Sequence, residues 1–552
     1  MIIIDESLIV ILIFSSIIIF AYAIRSFLFI FIVRIYPALF SLIIINHIYF
    51  LIKIKFSFLK KNLENNNTFS TSTKNIYTYI ENRKRNKISN NKLMLMKKNQ
   101  ISFLAKDNKF IYFSPFISIL IASHNEKIVI EKLLSSLSKI SYNPERLEII
   151  IVDDSDDGTY EILNIWQTEI PRLKVIHRQN RTGWKGGALN LGIKNINKNS
   201  DIVLIVDADN ILEKYTLKKI AKHFREQQEM GFSVSIVQGF PNPIVFPTYK
   251  KSSTVVKLEH KRDFIHENIN NNNNSKNWIS NGITFRLYQR NLIEFLAKEK
   301  LNLPLQITGS LFAISTSLLK SVGLSHDICE DWDLTLDIFL CGVSNIKSHK
   351  GNNNNDNHRI GLLDYDRNNH NEYNNKNKKI NKKIIAFEPS LVSYTEITKS
   401  ILTYFKQRMR VSEGHTRGFI IRIIKIIKSD KITLLDKIEL FFVGLRYVKY
   451  IFIILMISID FFLLSEKGLD GILTNNFIKI SLWLQSLSLI IYLIFNLLSL
   501  KNNYRIKIEK FEIKYIIYLL GVNIFTIPAL AIGSLLGFVR NKGNFYNTVR
   551  NE

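Results

Sequence analysis

The sequence predicts an α/β domain built on a mostly parallel sheet, with all-α transmembrane helices at both ends of the chain. Three observations carry this expectation. The chain is 47% hydrophobic yet has a formal net charge of +27, and the two are segregated, with apolar runs at the ends and basic polar sequence between. Inside the polar part, short β-branched runs alternate with helical patterns, the βαβα rhythm of a parallel sheet. One of those runs, residues 202–206, is apolar throughout, as in a strand buried on both faces, and it stops abruptly at Asp207-Ala208-Asp209.

Taken in order, residues 7–24 contain no charge and residues 35–52 contain none apart from His47. Each is close to the ~20 residues that cross a bilayer. A cleaved signal peptide is the competing reading of the first. It lacks a basic leader and a small-residue cleavage site, and a second apolar run follows at once. Residues 1–54 are therefore expected to be N-terminal transmembrane sequence and 55–110 a basic linker. The α/β domain is expected over 111–398, with strands at 116–122, 147–153, 173–177, 202–206 and 234–238. An amphipathic helix carrying Val129, Leu133, Leu137 and Ile140 on one face separates the first two. Asn-rich tracts near 268–276 and 351–383 cannot bury apolar area and are expected to be disordered surface insertions.

Residues 399–436 read as amphipathic interfacial helices, and 437–552 as C-terminal transmembrane helices from apolar runs at 437–464, 477–500 and 514–539. The loop with Lys501, Arg505, Lys507 and Lys510 is basic and 465–476 is not. The positive-inside rule puts the former, and the α/β domain with it, on the cytoplasmic side. The basic tail with Arg540, Lys542 and Arg550 then falls outside, unless the last segment is re-entrant near Pro528.

Several classes are disfavoured. Nothing resembles a zinc finger, an RNP motif or a helix-turn-helix, so no nucleic-acid partner is expected despite the charge. The two cysteines, Cys329 and Cys341, are too few for a disulfide framework. The first strand is not followed by G-x-G-x-x-G, and there is no Walker A motif, so a dinucleotide cofactor is not expected.

The residues able to do chemistry cluster at strand ends and turns. Asp207 and Asp209, one residue apart beyond a buried strand, are placed to hold a hard divalent cation and its phosphates; a solvated Asp-rich turn is the bland alternative. The second strand ends in Asp153-Asp154, followed by Ser155-Asp156-Asp157-Gly158-Thr159, which could meet a base or ribose or simply cap the next helix. Lys185 sits among glycines in "RTGWKGGALNLG" (181–192), where backbone and ammonium could approach phosphate. Glu330 and Asp331 open a buried helix; the helix dipole alone would favour them, and Asp331 would also suit a general base. Gln407 and Arg410 share a helix face, otherwise read as an interfacial helix with snorkelling arginines.

In sequence, "SHNE" (123–126), "VDDSDDGT" (152–159), "GWKGGALN" (183–190), "DAD" (207–209), "VQGFP" (237–241) and "CEDWDL" (329–334) resemble the motifs of membrane-bound family 2 glycosyltransferases. That group includes the cellulose-, chitin- and hyaluronan-synthase-like enzymes and glycolipid transferases. The resemblance covers roughly residues 115–415 and the flanking spans. It implies a GT-A-type fold and an inverting transfer from a nucleoside-diphosphate sugar, by default a uridine one, to a hydroxyl of a lipid or glycan acceptor. By resemblance, Glu126 and Asp153 or Asp154 contact the uridine, and Lys185 the diphosphate. Asp207 and Asp209 hold the diphosphate with Mg²⁺ or Mn²⁺, and Asp331 is the base. Gln407 and Arg410 match the start of the Q-x-x-R-W signature. Val411 replaces its Trp, His124 the usual Tyr and Cys329 the usual Thr, while Asp337 stands where an Arg is common. Loss of the Trp disfavours a processive synthase that also translocates its product, and a degenerate non-enzyme is disfavoured by the intact acids.

Overall fold

A computed structural model describes residues 2–35, 114–229, 235–244, 277–341, 384–500 and 512–540. The chain divides into two compact units, Met1–Ile30 with Pro115–Glu552, and Phe31–Ser114. Of the second, little is described beyond a π-helical turn at Phe31–Ile35. The apolar run at 35–52 (past Ile35), the linker at 55–110 and both Asn-rich tracts lie outside the described residues.

The larger unit is organised on one eight-stranded sheet of order β3-β2-β1-β4-β7-β6-β8-β5. Its strands are β1 (Ile117–Ser123), β2 (Leu147–Asp153), β3 (Leu173–His177), β4 (Ile202–Asp207), β5 (Asn210–Leu212), β6 (Ile236–Ile244), β7 (Phe312–Ser315) and β8 (Ile385–Glu396). β1, β2, β3 and β4 pair in parallel, as do β6 and β8; β7 runs antiparallel to β4 and β6, and β5 antiparallel to β8. The α/β sheet with transmembrane-type helices at both ends is the predicted class, and β2 and β3 have the expected bounds.

β4 shows why the sheet forms here. Ile202, Val203, Leu204, Ile205 and Val206 are each 0% exposed, and burying each such side chain contributes about 1.5–3 kcal/mol. β1 and β2 are similarly buried, and helix α2 (Ile130–Leu137) lays Ile130, Leu133, Leu134 and Leu137 onto the same core. Register then aligns the strand ends: Ser123 of β1 faces Asp153 of β2, and Ala122 faces Asp207 of β4. Acids far apart in sequence thus share one rim of the sheet.

Further helices complete the unit: α3 (Thr159–Glu169), α4 (Trp184–Lys194), α5 (Thr216–Glu229), α6 (Trp278–Gln289), α7 (Leu296–Leu301), α8 (Thr316–Val322) and α9 (Glu330–Cys341). A π-helical segment, Arg290–Phe295, joins α6 to α7. After β8 come α10 (Ile401–Lys428), α11 (Leu434–Gly444), α12 (Lys449–Thr474), α13 (Asn476–Ser499) and α14 (Lys514–Val539), while α1 (Ile2–Ile30) opens the chain.

Among the described residues, three helices are long and apolar enough to cross a membrane: Glu6–Val33, Asn476–Ser499 and Lys514–Val539. The run at 437–464, expected as one span, breaks after Gly444, and Leu434–Gly444 meets Lys449–Gly468 at 60°. Nor is there a re-entrant turn at Pro528, which lies inside the continuous helix α14. The stretch read as interfacial, 399–436, forms α10 and the start of α11. The middle of α10, Ser412 to Phe419, is buried, while Leu402 near its start and Ile421, Ile424 and Ile427 toward its end are exposed. α10 packs on α9 and α14. A Cβ on Gly533 would lie 2.3 Å from the Met409 carbonyl oxygen, and one on Gly537 would lie 2.6 Å from that of Glu413. Small residues of this kind let two helix backbones close on each other.

Candidate active site

Lys185 is the hub of the site. It lies in the first turn of α4, after Gly183 and Trp184, both at positive φ (72° and 51°). Its Nζ is 2.7 Å from Asp207 Oδ1 and 3.0 Å from Glu330 Oε1, and it donates to the Gly309 carbonyl oxygen at 2.9 Å. One ammonium therefore ties the end of β4, the start of α9 and the turn before β7. The glycines after it serve packing: a Cβ on Gly186 would sit 1.9 Å from the Ser325 carbonyl oxygen. That close approach brings α4 against the loop that leads into Glu330 and Asp331.

Asp331 follows Glu330 in the first turn of α9. The Trp332 N–H donates to its Oδ1 at 2.8 Å. Its other oxygen faces Gly309, where an added Cβ would be 2.9 Å from Oδ2. Burial foremost, then Glu330, push the Asp331 carboxyl up to about 7, against the pull of Lys185. The Cys329 thiol before it is also pushed up by burial, which makes it a packing group rather than a nucleophile.

A cavity of about 760 Å³ opens beside these groups, lined by Asp207, Asp209, Thr308, Ser310, Gln407 and Arg408 among others. Asp209 lies next to Asn210, whose Nδ2 donates to its Oδ1 at 3.1 Å, with Thr395 Oγ1 3.5 Å from Oδ2. No group of three or more His, Cys, Asp or Glu that could cage a metal occurs among the described residues. Two carboxylates at a cavity wall suit instead a Mg²⁺-type ion, which takes one or two protein carboxylates and completes its shell with phosphate oxygens and water. Arg410 lies within electrostatic reach of Glu330 and Asp207.

The remaining sequence-selected acids stand to one side of this cluster. Asp153 is fully buried; Ser155 Oγ donates to its Oδ1 at 2.6 Å and His177 Nδ1 is 2.9 Å from Oδ2. Asp154 is gripped by Arg178, through Nε at 2.5 Å and through Nη2. Glu126 sits on the turn after β1, where its N–H donates to Thr159 Oγ1 at 3.1 Å. Asp157 accepts from the Thr159 N–H at 3.0 Å, a local turn that starts α3.

Gln238 falls in the "VQGFP" motif, but neither it nor Thr308 and Ser310 was a candidate site residue. Gln238 is fully buried; its Oε1 accepts from the Thr308 N–H at 3.0 Å and its Nε2 donates to the Ser310 carbonyl oxygen at 3.1 Å. It fixes the turn whose Gly309 and Leu311 have positive φ, 69° and 53°. The hydroxyls of Thr308 and Ser310 are buried without a hydrogen-bond partner. The polar run around Thr308 was a signal, but nothing local linked it to Gln238.

Residues 118–296 match the family model described as Glycosyl transferase family 2. Over this stretch the chain is similar to family 2 glycosyltransferase domains. The stretch holds Lys185, Asp207 and Asp209, while α9 and α10 follow it in the chain. The chain is 32% identical over 120 residues to a probable glycosyltransferase, YdaM, of Bacillus subtilis, covering 21% of this chain and 28% of that protein. It is 36% identical over 112 residues to a beta-monoglucosyldiacylglycerol synthase of Synechocystis, covering 20% of this chain and 23% of that one. The chain thus spans under a third of the length of these curated relatives. Among solved structures, the mannosyltransferase PcManGT from Pyrobaculum calidifontis, in complex with GDP-Man and Mn²⁺, is similar with a TM-score of 0.44 at 16% identity, over 77% of this chain and 88% of that one.

Proposed function

We propose that this protein is an inverting membrane glycosyltransferase. It moves a sugar from a nucleoside-diphosphate sugar, UDP-linked in the first instance, to a hydroxyl of a lipid or glycan, forming a β-glycosidic bond. The observation that carries the reading is the single ammonium of Lys185 joining Asp207, Glu330 and the Gly309 carbonyl beside one cavity. The similarity to family 2 glycosyltransferase domains supports it, and so do relatives named for glycosyl transfer to a lipid.

In this reading Lys185 turns from Asp207 to the diphosphate, and Arg410 and Gln407 approach it from α10. Asp209, with Asp207, holds Mg²⁺ or Mn²⁺. Bound there, the cation supplies positive charge against the charge growing on the leaving group. Asp331 takes the proton of the acceptor hydroxyl as that oxygen attacks the anomeric carbon, and the bond to the diphosphate oxygen breaks on the opposite face. Asp153 positions the end of β2 from within the core, and Asp154, Arg178 and Glu126 form the side that meets the nucleoside. The candidate spans anchor the domain at the membrane as a multi-pass protein, with the domain on the cytoplasmic side by the charge of the loops.

The test is incubation of membranes containing the protein with radiolabelled UDP- and GDP-sugars and Mg²⁺, followed by identification of the labelled product. Transfer and donor hydrolysis that vanish in Asp209→Ala support the reading; turnover retained in that variant removes the metal site. A processive synthase is the second reading, and product length on a gel separates the two.

A further inference from the structure

The cavity that Asp207 and Asp209 line is also lined by Tyr22 and Tyr492, from two of the candidate spans. Part of its wall is basic. Arg286, Arg290, Arg408 and Lys449 all line it, and none has a carboxylate partner among the described residues. Arg286 reaches Asn523 Oδ1 at 3.5 Å. Arg290, Arg408 and Lys449 meet the rings of Phe295, Tyr404 and Tyr22 at 5.9, 5.3 and 4.8 Å. The nearby acids are engaged elsewhere: Glu294 with Arg25 and Arg446, at 3.1 and 2.7 Å, and Glu439 with Arg25 and Lys298, at 2.5 and 2.9 Å.

The Nε atoms of Arg290 and Arg408 are buried with no hydrogen-bond partner. Burial also pushes the Arg290 guanidinium down to about 10. Desolvated cations without a counter-ion cost free energy, which an anion in the cavity would offset. Guanidinium forks match phosphate oxygens in particular.

We propose that this basic wall binds the phosphate of the acceptor, a membrane lipid whose headgroup carries both a phosphodiester and the hydroxyl to be glycosylated. The assignment deepens the transfer reading and rests on it. The hydroxyl follows from Asp331: a phosphate oxygen is already deprotonated and has no use for a base. The lipid follows from the candidate spans, which supply part of the wall through Tyr22, Tyr492 and Asn523. A neutral glucan would find no use for these cations.

The test uses the full chain in phosphatidylcholine nanodiscs supplemented with diacylglycerol, with phosphatidylglycerol, or with glycerol 3-phosphate in the buffer. Co-purifying lipid and labelled product are both measured. Phosphatidylglycerol should be retained and glycosylated at least about tenfold in preference to diacylglycerol, as expected for one or more charge-assisted hydrogen bonds. Arg290→Gln and Lys449→Gln should remove that preference and leave donor KM and donor hydrolysis unchanged, and Lys449→Arg should restore it.

Equal retention of diacylglycerol overturns the proposal. Glycerol 3-phosphate serving as well as phosphatidylglycerol overturns the lipid source, and weakened donor binding in the variants assigns the wall to the nucleotide instead. Selective retention without any donor turnover keeps the phosphate site and removes the transfer reading.

Discussion

Asp331 is poised to change charge near neutral pH, because burial and Glu330 hold its carboxyl up to about 7 while Lys185 opposes them. The rate of transfer should therefore rise with pH through about 7, measured as kcat against pH. Glu330→Gln removes the like charge, so the rising limb should move to lower pH. Stability runs the other way. Asp331 ordinarily ionises near 3.8 and in the folded chain near 7, so the native state holds the extra proton between those values. The folded protein should thus lose stability as pH climbs through that window, visible in thermal melts. Asp331→Asn should lower turnover on the order of 10²–10⁴-fold with donor affinity retained, checked by kinetics and calorimetry. The positions of Asp207, Asp209, Lys185 and Asp331 could be picked out beforehand, because each ends an apolar run, interrupts a glycine turn or opens a helix. The Lys185–Glu330 pair and the grip of Gln238 on the Thr308 turn could not. They join residues far apart in the chain and leave no trace in local spacing.

Among the elements, α10 decides how the helix that carries Asp331 is held. Arg417 binds Asp327 just before α9, and Arg422 binds Asp333 at 2.7 Å and Asp337 at 2.6 Å. Trp332 stacks on His415 at 4.3 Å and donates Nε1–H to its carbonyl oxygen at 3.0 Å. Three of the four departures from the family motifs, Cys329, Asp337 and Val411, meet in this interface. The Cys329 thiol lies 3.7 Å from the Val411 carbonyl oxygen, and Asp337 finds its cation in Arg422. A Cβ on Gly418 would come 2.4 Å from Asp333 Oδ1. Gly418→Val should therefore destabilise by about 1–3 kcal/mol, the usual cost of overpacking, and lower kcat more than donor affinity. Thermal denaturation and steady-state kinetics check both. The amphipathic pattern of 399–436 was legible. Its buried centre was not, because Ser412, Glu413, Gly414, His415 and Thr416 look like a polar face until α9 and α14 supply their partners.

At the scale of the larger unit, α1 is fastened to α11 and α13 and to the π-helical segment of the α/β domain. Ser16 of α1 bonds Ser481 of α13 at 2.8 Å. Arg25 of α1 joins Glu439 of α11 and Glu294 of the π-helical segment, the first through Nε at 3.1 Å and Nη2 at 2.5 Å. Arg25→Gln removes one cation from each carboxylate, which keep Arg446 and Lys298, and should cost on the order of 1–3 kcal/mol, read as a fall in the melting temperature in detergent or nanodiscs. Arg25→Lys should recover only part of it, because an ammonium cannot reproduce the two-pronged contact. Hydropathy located the three helices that are long and apolar enough to cross a membrane, since apolar length is written directly in the sequence. The break after Gly444 and this ionic tie were hidden, because both depend on which helices come to lie side by side.

Lys185 and Asp207 each occupy the other's charge, and in the proposed reaction this would set an order of events. A divalent ion arriving by itself has to compete with the ammonium for the aspartate. One arriving on a diphosphate brings fresh oxygens for that ammonium to turn to. Ion and nucleotide should therefore recruit each other with positive coupling, and Mg²⁺ titrated calorimetrically with and without UDP should bind far more tightly in its presence.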